Sequence, residues 1–294
     1  MEVVLHRSGD RWDVAAFAAA AGAVLDADPV RHTLAQTVLD RVGRGSAEPE
    51  LLLTVHRRGG LAGAVLRERG RSVLVSALPP GLAAAAARRA VEADPAPRGV
   101  AGPVPEAEAY AAAHAALTGA GVAVAMRQRL FRLVALCPPR GVAGACRLAG
   151  PADVDLLARW QTAFGAEAVR ALGPPTDPRP GVVATMEEGY GHVLWERGGS
   201  VAYAVVRPPV AGMARIGPVY TPPELRGHGY GTAVTAAATA WALDAGAREV
   251  CLFTDLSNPV SNAIYPRIGY RPLLDACELT FLPGDEQPSS SARP

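Results

Sequence analysis

Residues Arg226, Gly227, His228, Gly229, Tyr230, Gly231 and Thr232 follow one another as RGHGYGT, directly after Tyr220-Thr221-Pro222-Pro223-Glu224-Leu225. Three alternating glycines leave the main chain bare, so a ligand can approach the peptide N–H groups closely. The alanine-rich run from about Thr232 reads as a helix. A bare loop feeding a helix N-terminus is an anion site, most often for phosphate. Pro222 and Pro223 forbid helix and stiffen the approach.

The neighbouring segments supply the frame for such a loop. The stretch MARIGPVY reads as a strand entering it, and Val234, Ala238, Trp241 and Ala245 after it share one helix face. Gly246 is placed to end that helix. REVCLFTD then reads as a buried strand, giving strand, loop, helix and strand, hence a parallel pair with a right-handed crossover. LSNPVSNAIYPRIGYRP follows as a polar loop, a short helix around Asn262 to Tyr265, a turn at Gly269 and a final strand.

Other phosphate and nucleophile chemistries fit poorly. A dinucleotide fingerprint needs G-x-G-x-x-G directly after a strand and an acidic residue at the end of the next strand. Here Thr232 stands at the third glycine position, two prolines intervene, and Glu249 falls near that strand's start. The chain has no lysine, which removes Schiff-base chemistry and the lysine-bearing phosphate loop. Cys137, Cys146, Cys251 and Cys277 show no metal spacing and read as buried small hydrophobes, so no metal is expected. His6, His32, His56 and His114 likewise show no metal spacing, and Trp12, Trp160, Trp195 and Trp241 read as packing residues. A net charge of +1 points away from nucleic acid. No apolar run of about 20 residues appears, so no membrane partner is expected. The opening MEVVLHRSGDRWD has no signal-peptide pattern, so the expected location is cytoplasmic.

The 294 residues suffice for two ordinary domains. CPPRGVAGACRLAGPADVD is a Pro/Gly-punctuated stretch between two periodic regions. On either side stands a similar phrase: an apolar strand, a turn on Arg58-Gly59-Gly60 or Arg197-Gly198-Gly199, and a second apolar strand. Helical regions precede both hairpins, and a strand and an alanine-rich helix follow both. The pattern predicts an internal duplication of an α/β domain, each a mixed, partly parallel sheet flanked by helices. The expected division is a first domain over 1–136, a linker over 137–146, a second domain over 147–283 and a disordered polar tail over 284–294. Where the second half has PPELRGHGYG, the first has SALPPGLAAAA, with one glycine and no phosphate device.

RGHGYG matches the R/Q-x-x-G-x-G/A signature of the GNAT superfamily of N-acetyltransferases, and NPVSNAIYPRIGY resembles that family's second signature. The resemblance is clear over roughly Arg147 to Leu282; the first half resembles a degraded relative of the same fold. It implies that acetyl-CoA is the co-substrate, with its pyrophosphate on backbone N–H groups from Arg226 to Thr232 and His228 as an added donor. Two parallel strands would splay, with Val219 and Thr221, on either side of Tyr220, offering main chain to the pantetheine arm. Asn258 and Asn262 would hydrogen-bond the same arm, and a backbone N–H near Val219 would serve as the oxyanion donor. Tyr265 matches the tyrosine that protonates the departing thiolate, or else packs its ring over the arm. Asp255 is a possible base, and a water-mediated base is equally open. Glu187, Glu188, His192 and Glu196 read as surface groups, and Glu224 lies close enough to the loop to tie it together. The implied reaction is acetyl transfer to a small-molecule or peptide amine by direct attack in a ternary complex. The alternative is a non-catalytic acyl-CoA-binding module. Oligomeric state is open.

Overall fold

The computed structural model describes residues 1–93, 96–168 and 177–284. They form two compact units, Met1–Gln128 with the chain from Leu274 onward, and Arg129–Leu273.

In the first unit β1 (Glu2–Leu5), a small hairpin β2 (Arg7–Ser8) and β3 (Arg11–Trp12), and helices α1 (Val14–Ala27) and α2 (Thr33–Gly43) lead into β4 (Pro49–Arg57) and β5 (Gly60–Glu68). There follow β6 (Val73–Ser76), α3 (Ala83–Ala93), β7 (Gly99–Pro103), α4 (Val104–Thr118) and the start of β8 (Gly121–Leu133). The strand order is β1-β4-β5-β6-β7. The β4–β5 turn is Arg58-Gly59, both at positive φ, as a two-residue hairpin of this twist requires. Successive residues of β4 serve opposite faces: Leu51, Leu53 and Val55 pack under α3 and α4, and Leu52 under α1 and α2. Strands β6 and β7 are parallel, with Val73 beside Val100 and Leu74 beside Ala101.

The second unit contains β9 (Ala145–Leu148), α5 (Val154–Ala168), α6 (Arg179–Glu187), β10 (Gly191–Glu196), β11 (Ser200–Val206) and β12 (Met213–Tyr220). After these come α7 (Tyr230–Asp244), β13 (Glu249–Asp255), α8 (Pro259–Arg267) and the start of β14 (Tyr270–Leu282). The strand order is β9-β10-β11-β12-β13 followed by β8. Leu157, Val182, Leu194, Tyr203, Val205 and Tyr220 form the core under α5 and α6. Ala202, Ala204, Ile216, Val250 and Leu252 pack with Val234, Ala238 and Ala242 of α7 on the other face. The β10–β11 turn has three residues, Arg197-Gly198-Gly199, with a bulge at Trp195/Glu196, so the two RGG hairpins are not built alike.

The expected parallel pair around the glycine loop is present, Met213 lying beside Glu249 and Ile216 beside Leu252. Several boundaries differ from the sequence reading. The alanine-rich helix begins at Tyr230, not Thr232, and ends at Asp244, which leaves Ala245 exposed beyond it. The chain leaves the first unit within β8 and returns within β14, whereas the Pro/Gly stretch at 137–146 lies inside the second unit. The cause is a pairing between distant segments, since Ala276 through Thr280 of β14 lie antiparallel to Pro103 through Gly99 of β7. Cys251 and Cys277 are buried, but Cys137 and Cys146, in a loop and on the edge strand β9, are exposed. The polar tail after Gly284 lies outside the described residues. Among those residues no helix is long and apolar enough to cross a membrane.

Helix α7 sits close on β10 because Gly191 carries no side chain; a Cβ there would lie 2.8 Å from ring atoms of Trp241. Gly191→Ala is expected to destabilise the second unit by about 1–3 kcal/mol through overpacking. The measurement is its urea midpoint followed by tryptophan fluorescence; an unmoved midpoint would show that the helix can shift without cost.

Candidate active site

The β12–β13 ladder stops at Ile216 and Leu252, although β12 continues through Gly217, Pro218, Val219 and Tyr220 and β13 through Phe253, Thr254 and Asp255. On its other side β12 crosses a register shift between Ile216 and Val219 and then pairs again with β11, Val219 beside Ala204 and Tyr220 beside Tyr203. The two parallel strands therefore part at their C-terminal ends, which opens main chain on one side only.

Above the parting, a single 3₁₀ turn at Pro223–Leu225 leads into the glycine loop. Gly227 and Gly229 adopt left-handed φ of +83° and +82°, open to glycine at no steric cost. Gly231 is already helical; its need is space, since a Cβ there would lie 3.3 Å from Thr221 Oγ1. The first α7 bond runs from Ala233 N–H to the Gly229 carbonyl, so the N–H groups of Tyr230, Gly231 and Thr232 have no partner within the helix. With Gly227, His228 and Gly229 they form a row of donors at a helix N-terminus, where the dipole favours negative charge.

The other wall is α8. Asn262 Nδ2 faces three carbonyls, those of Asp255 at 2.9 Å, Asn258 at 2.7 Å and Leu256 at 3.4 Å. That fixes the amide orientation and leaves Oδ1 buried without a hydrogen-bond partner among the described residues. A buried acceptor without a donor costs about 1–3 kcal/mol, a cost a ligand N–H or O–H would relieve. Tyr265 is buried against Phe131 and Tyr270, with ring centroids 5.8 and 6.3 Å away. Burial pushes its phenol up to about 12, with a Ser261 hydrogen bond working weakly the other way.

The parting strands, the bare loop and the second asparagine-tyrosine segment coincide in one unit, and the family model for the GNAT acetyltransferase family matches residues 158–270. These residues are a GNAT domain. Solved structures share the fold, one of them a tandem GNAT protein. A GCN5-related N-acetyltransferase from Sphaerobacter thermophilus matches at TM-score 0.63 and 19% identity, over 97% of this chain and 98% of that one. A tandem GNAT protein from the clavulanic acid biosynthesis pathway matches at TM-score 0.53 and 18% identity, over 97% and 99%. A GCN5-related N-acetyltransferase from Kribbella flavida matches at TM-score 0.52 and 22% identity, over 74% and 86%. No curated protein sequence matches the chain.

Several side chains singled out in the sequence serve the GNAT domain's own structure. Arg226 gives Nε to the Thr221 carbonyl at 2.9 Å and Nη2 to Glu167 at 2.5 Å. His228 is exposed, with Nδ1 2.9 Å from the Arg226 carbonyl and its ring stacked on Tyr230. Tyr230 is buried and accepts Arg197 Nη1 at 2.8 Å. Asp255 Oδ1 accepts both the N–H and the hydroxyl of Ser257, each at 2.7 Å. Asn258 caps α8, its Oδ1 accepting from Ser261 N–H at 3.0 Å. Glu187 and Glu188 are exposed at the end of α6, and Glu196 pairs with Arg147. His192 is buried rather than on the surface; its Nε2 lies 3.0 Å from Thr185 Oγ1, and burial lowers its pKa. The loop is tied by Glu167 rather than Glu224. Sequence reading missed Glu167, although it stands at helical spacing after the apolar stripe Leu157, Trp160, Phe164, at the exposed end of α5.

The first unit handles the same place differently. After β6 the chain runs through Leu78, Pro79 and a 3₁₀ turn at Pro80–Leu82 straight into α3. The Leu78 N–H donates to buried Glu106 at 3.2 Å, and Arg31 reaches the same carboxylate at 3.3 Å. A cavity of 700 Å³ beside them is lined by Pro79, Pro80, Pro103 and Pro105 with Arg31, Glu106 and Asp275. Proline has no N–H, so these walls offer few donors to phosphate. Among the described residues no group of three or more His, Cys, Asp or Glu could hold a metal ion.

Asn258→Ala separates a cap from a ligand-binding role. Loss of the cap is expected to cost about 1 kcal/mol of stability. Chemical denaturation measures it; unchanged stability with weakened ligand binding would reverse the assignment.

Proposed function

We propose that the GNAT domain binds acetyl-CoA in the β12–β13 parting and transfers its acetyl group to a primary amine of a small molecule or peptide. The observation that carries this reading is the row of N–H groups from Gly227 to Thr232, unpartnered among the described residues, at the opened edge of β12. The residues fit the ligand: the loop presents donors to a pyrophosphate, and the orphaned Asn262 Oδ1 suits an amide-bearing arm. Acetyl-CoA supplies an activated thioester, so no enzyme nucleophile is needed and the amine attacks directly in a ternary complex.

Each step then falls to a named group. Main chain at Val219 and Thr221 holds the arm, and an N–H in this stretch stabilises the oxyanion. Tyr265 serves the departing thiolate. A thiol of about 8.5 against a phenol of about 12 makes full proton transfer uphill by roughly 5 kcal/mol, so Tyr265 acts by donating a hydrogen bond. Such bonds to charged groups contribute about 1.5–3 kcal/mol. Tyr265→Phe should therefore lower kcat roughly 10- to 100-fold while acetyl-CoA still binds. The engagement of Asp255 with Ser257 favours water as the carrier of the amine proton. It also favours a second reading, a non-catalytic acyl-CoA-binding module, for which Tyr265→Phe would change nothing but affinity.

Calorimetric titration with acetyl-CoA, wild type beside Gly229→Glu, tests the assignment. Binding by the wild type is expected to vanish in the variant, whose side chain would strain a left-handed φ and crowd Val142. A folded wild type without affinity would remove the proposal.

The raised phenol also sets a pH dependence. Between the unfolded value of about 10 and the folded value of about 12, the unfolded chain loses the Tyr265 proton first. Stability from this group is complete below pH 10 and falls as pH rises toward 12. The slope of the denaturation free energy above pH 10 should flatten in Tyr265→Phe, and an identical slope would refute the assignment.

A further inference from the structure

We propose that Glu167 is the positioning residue that presets the phosphate loop, acting through Arg226 and Tyr220; the ligand involved rests on the acetyl-CoA reading. Glu167 stands in the last turn of α5, where a carboxylate opposes the helix dipole by about 0.3–1 kcal/mol. Helix energetics alone therefore disfavour it there, and its contacts supply the reason for its place. Oε1 accepts the Tyr220 hydroxyl at 3.1 Å and Oε2 accepts Arg226 Nη2 at 2.5 Å. Arg226 in turn donates Nε to the Thr221 carbonyl at 2.9 Å, with its guanidinium 5.9 Å above the Tyr220 ring. One carboxylate thus joins the last residue of β12 to the first residue of RGHGYG.

Arg226 is held at both levels. Its backbone N–H donates to the Pro223 carbonyl at 3.3 Å, and its φ of −72° and ψ of 165° aim the extended chain into Gly227. Beyond it the loop depends on glycines, the residues that lose most conformational freedom on ordering. Fixing the entry residue lowers the entropy left for a ligand to remove, which is how preorganisation raises affinity. The same contacts engage the guanidinium with Thr221, Glu167 and the Tyr220 ring, so the proposed phosphate contacts fall to backbone N–H groups. The Arg226–Glu167 pair is exposed, with side chains 48% and 40% accessible, so its effect on overall stability is small. The loop, not the fold, should register its loss.

The test uses the full chain with Glu167→Gln, Arg226→Ala and the double variant. In the ligand-free protein, backbone order parameters of Gly227 to Thr232 are expected to fall from about 0.85 towards 0.6 in both single variants, with the core of α7 unchanged. Acetyl-CoA titration should show binding weakened on the order of 10-fold by either change and no further by both, with Tm almost unmoved. Loop order unaffected by Glu167→Gln overturns the proposal. So does tighter binding in that variant, which would mean that Glu167 withholds Arg226 from the phosphate. So do single effects that multiply in the double variant. A wild type that does not bind acetyl-CoA would remove the ligand assignment, and the order parameters would still decide the role of Glu167.

Discussion

The parting of β12 from β13 after Ile216 and Leu252 is the constraint on which the second unit's chemistry depends. Parallel strands normally satisfy one another's peptide groups, and a buried main-chain group without a partner is costly. Here the β13 side does not re-form, whereas on the β11 side the ladder resumes after a register shift and holds β12 through Val219 and Tyr220. Pro218 removes one donor from the opened stretch, since its nitrogen carries no hydrogen. The remaining groups form an edge that the proposed acetyl-CoA arm, with peptide-like bonds of its own, would fit.

Recognition through main chain leaves the side chains of the same residues free for other work. Arg226, His228 and Tyr230 all sit in the loop that would hold phosphate, yet their side chains turn to Thr221 and Glu167, to the Arg226 carbonyl and to Arg197 respectively. Their side chains brace the loop, while its backbone N–H groups from Gly227 to Thr232 make no bond among the described residues. The first unit shows the contrasting solution. It keeps a parallel pair, β6 and β7, but gives the Leu78 N–H to its own Glu106 and hands the turn to prolines. A carboxylate from the chain thus occupies a donor that a ligand would otherwise claim. Burial raises the Glu106 pKa, while the Leu78 and Arg31 contacts pull it down.

Features that depend on local chain chemistry were legible in the sequence. The glycine loop, its flanking strand and helix, the two RGG hairpins and the parallel crossover all follow from periodicity and turn residues. Helix α7 begins two residues earlier than its alanines suggest because Gly229, at φ +82°, and not composition, sets the entry. Asn258 and Asp255 illustrate a different difficulty. A polar residue at a loop–helix junction serves equally well as cap or ligand, and only the positions of the Ser261 and Ser257 donors separate the two. Glu167 and the β7–β14 pairing lay out of reach because each joins segments far apart in the chain. The boundary between the units was misplaced for the same reason.

The proton inventory of the site bears on the class of acceptor. The proposed direct attack requires the amine as free base, and no carboxylate on β12 stands ready to take its proton. The one acid at the end of β13, Asp255, is committed to Ser257. Under those conditions the cost of deprotonation falls on the acceptor itself. An alkyl ammonium of pKa about 10.4 must give up about 4.6 kcal/mol at pH 7 to reach its reactive form, whereas an α-amino group near 7.8 gives up only about 1 kcal/mol. The difference of roughly 3.5 kcal/mol is more than a hydrogen bond from Tyr265 to the leaving group returns. On that proposal the site would work best on amines that titrate near neutrality, unless the acceptor brings its own base. On the proposed acetyl transfer, an activated thioester held at the opened strand edge would spare the protein a nucleophile and make the acceptor's own basicity the remaining barrier.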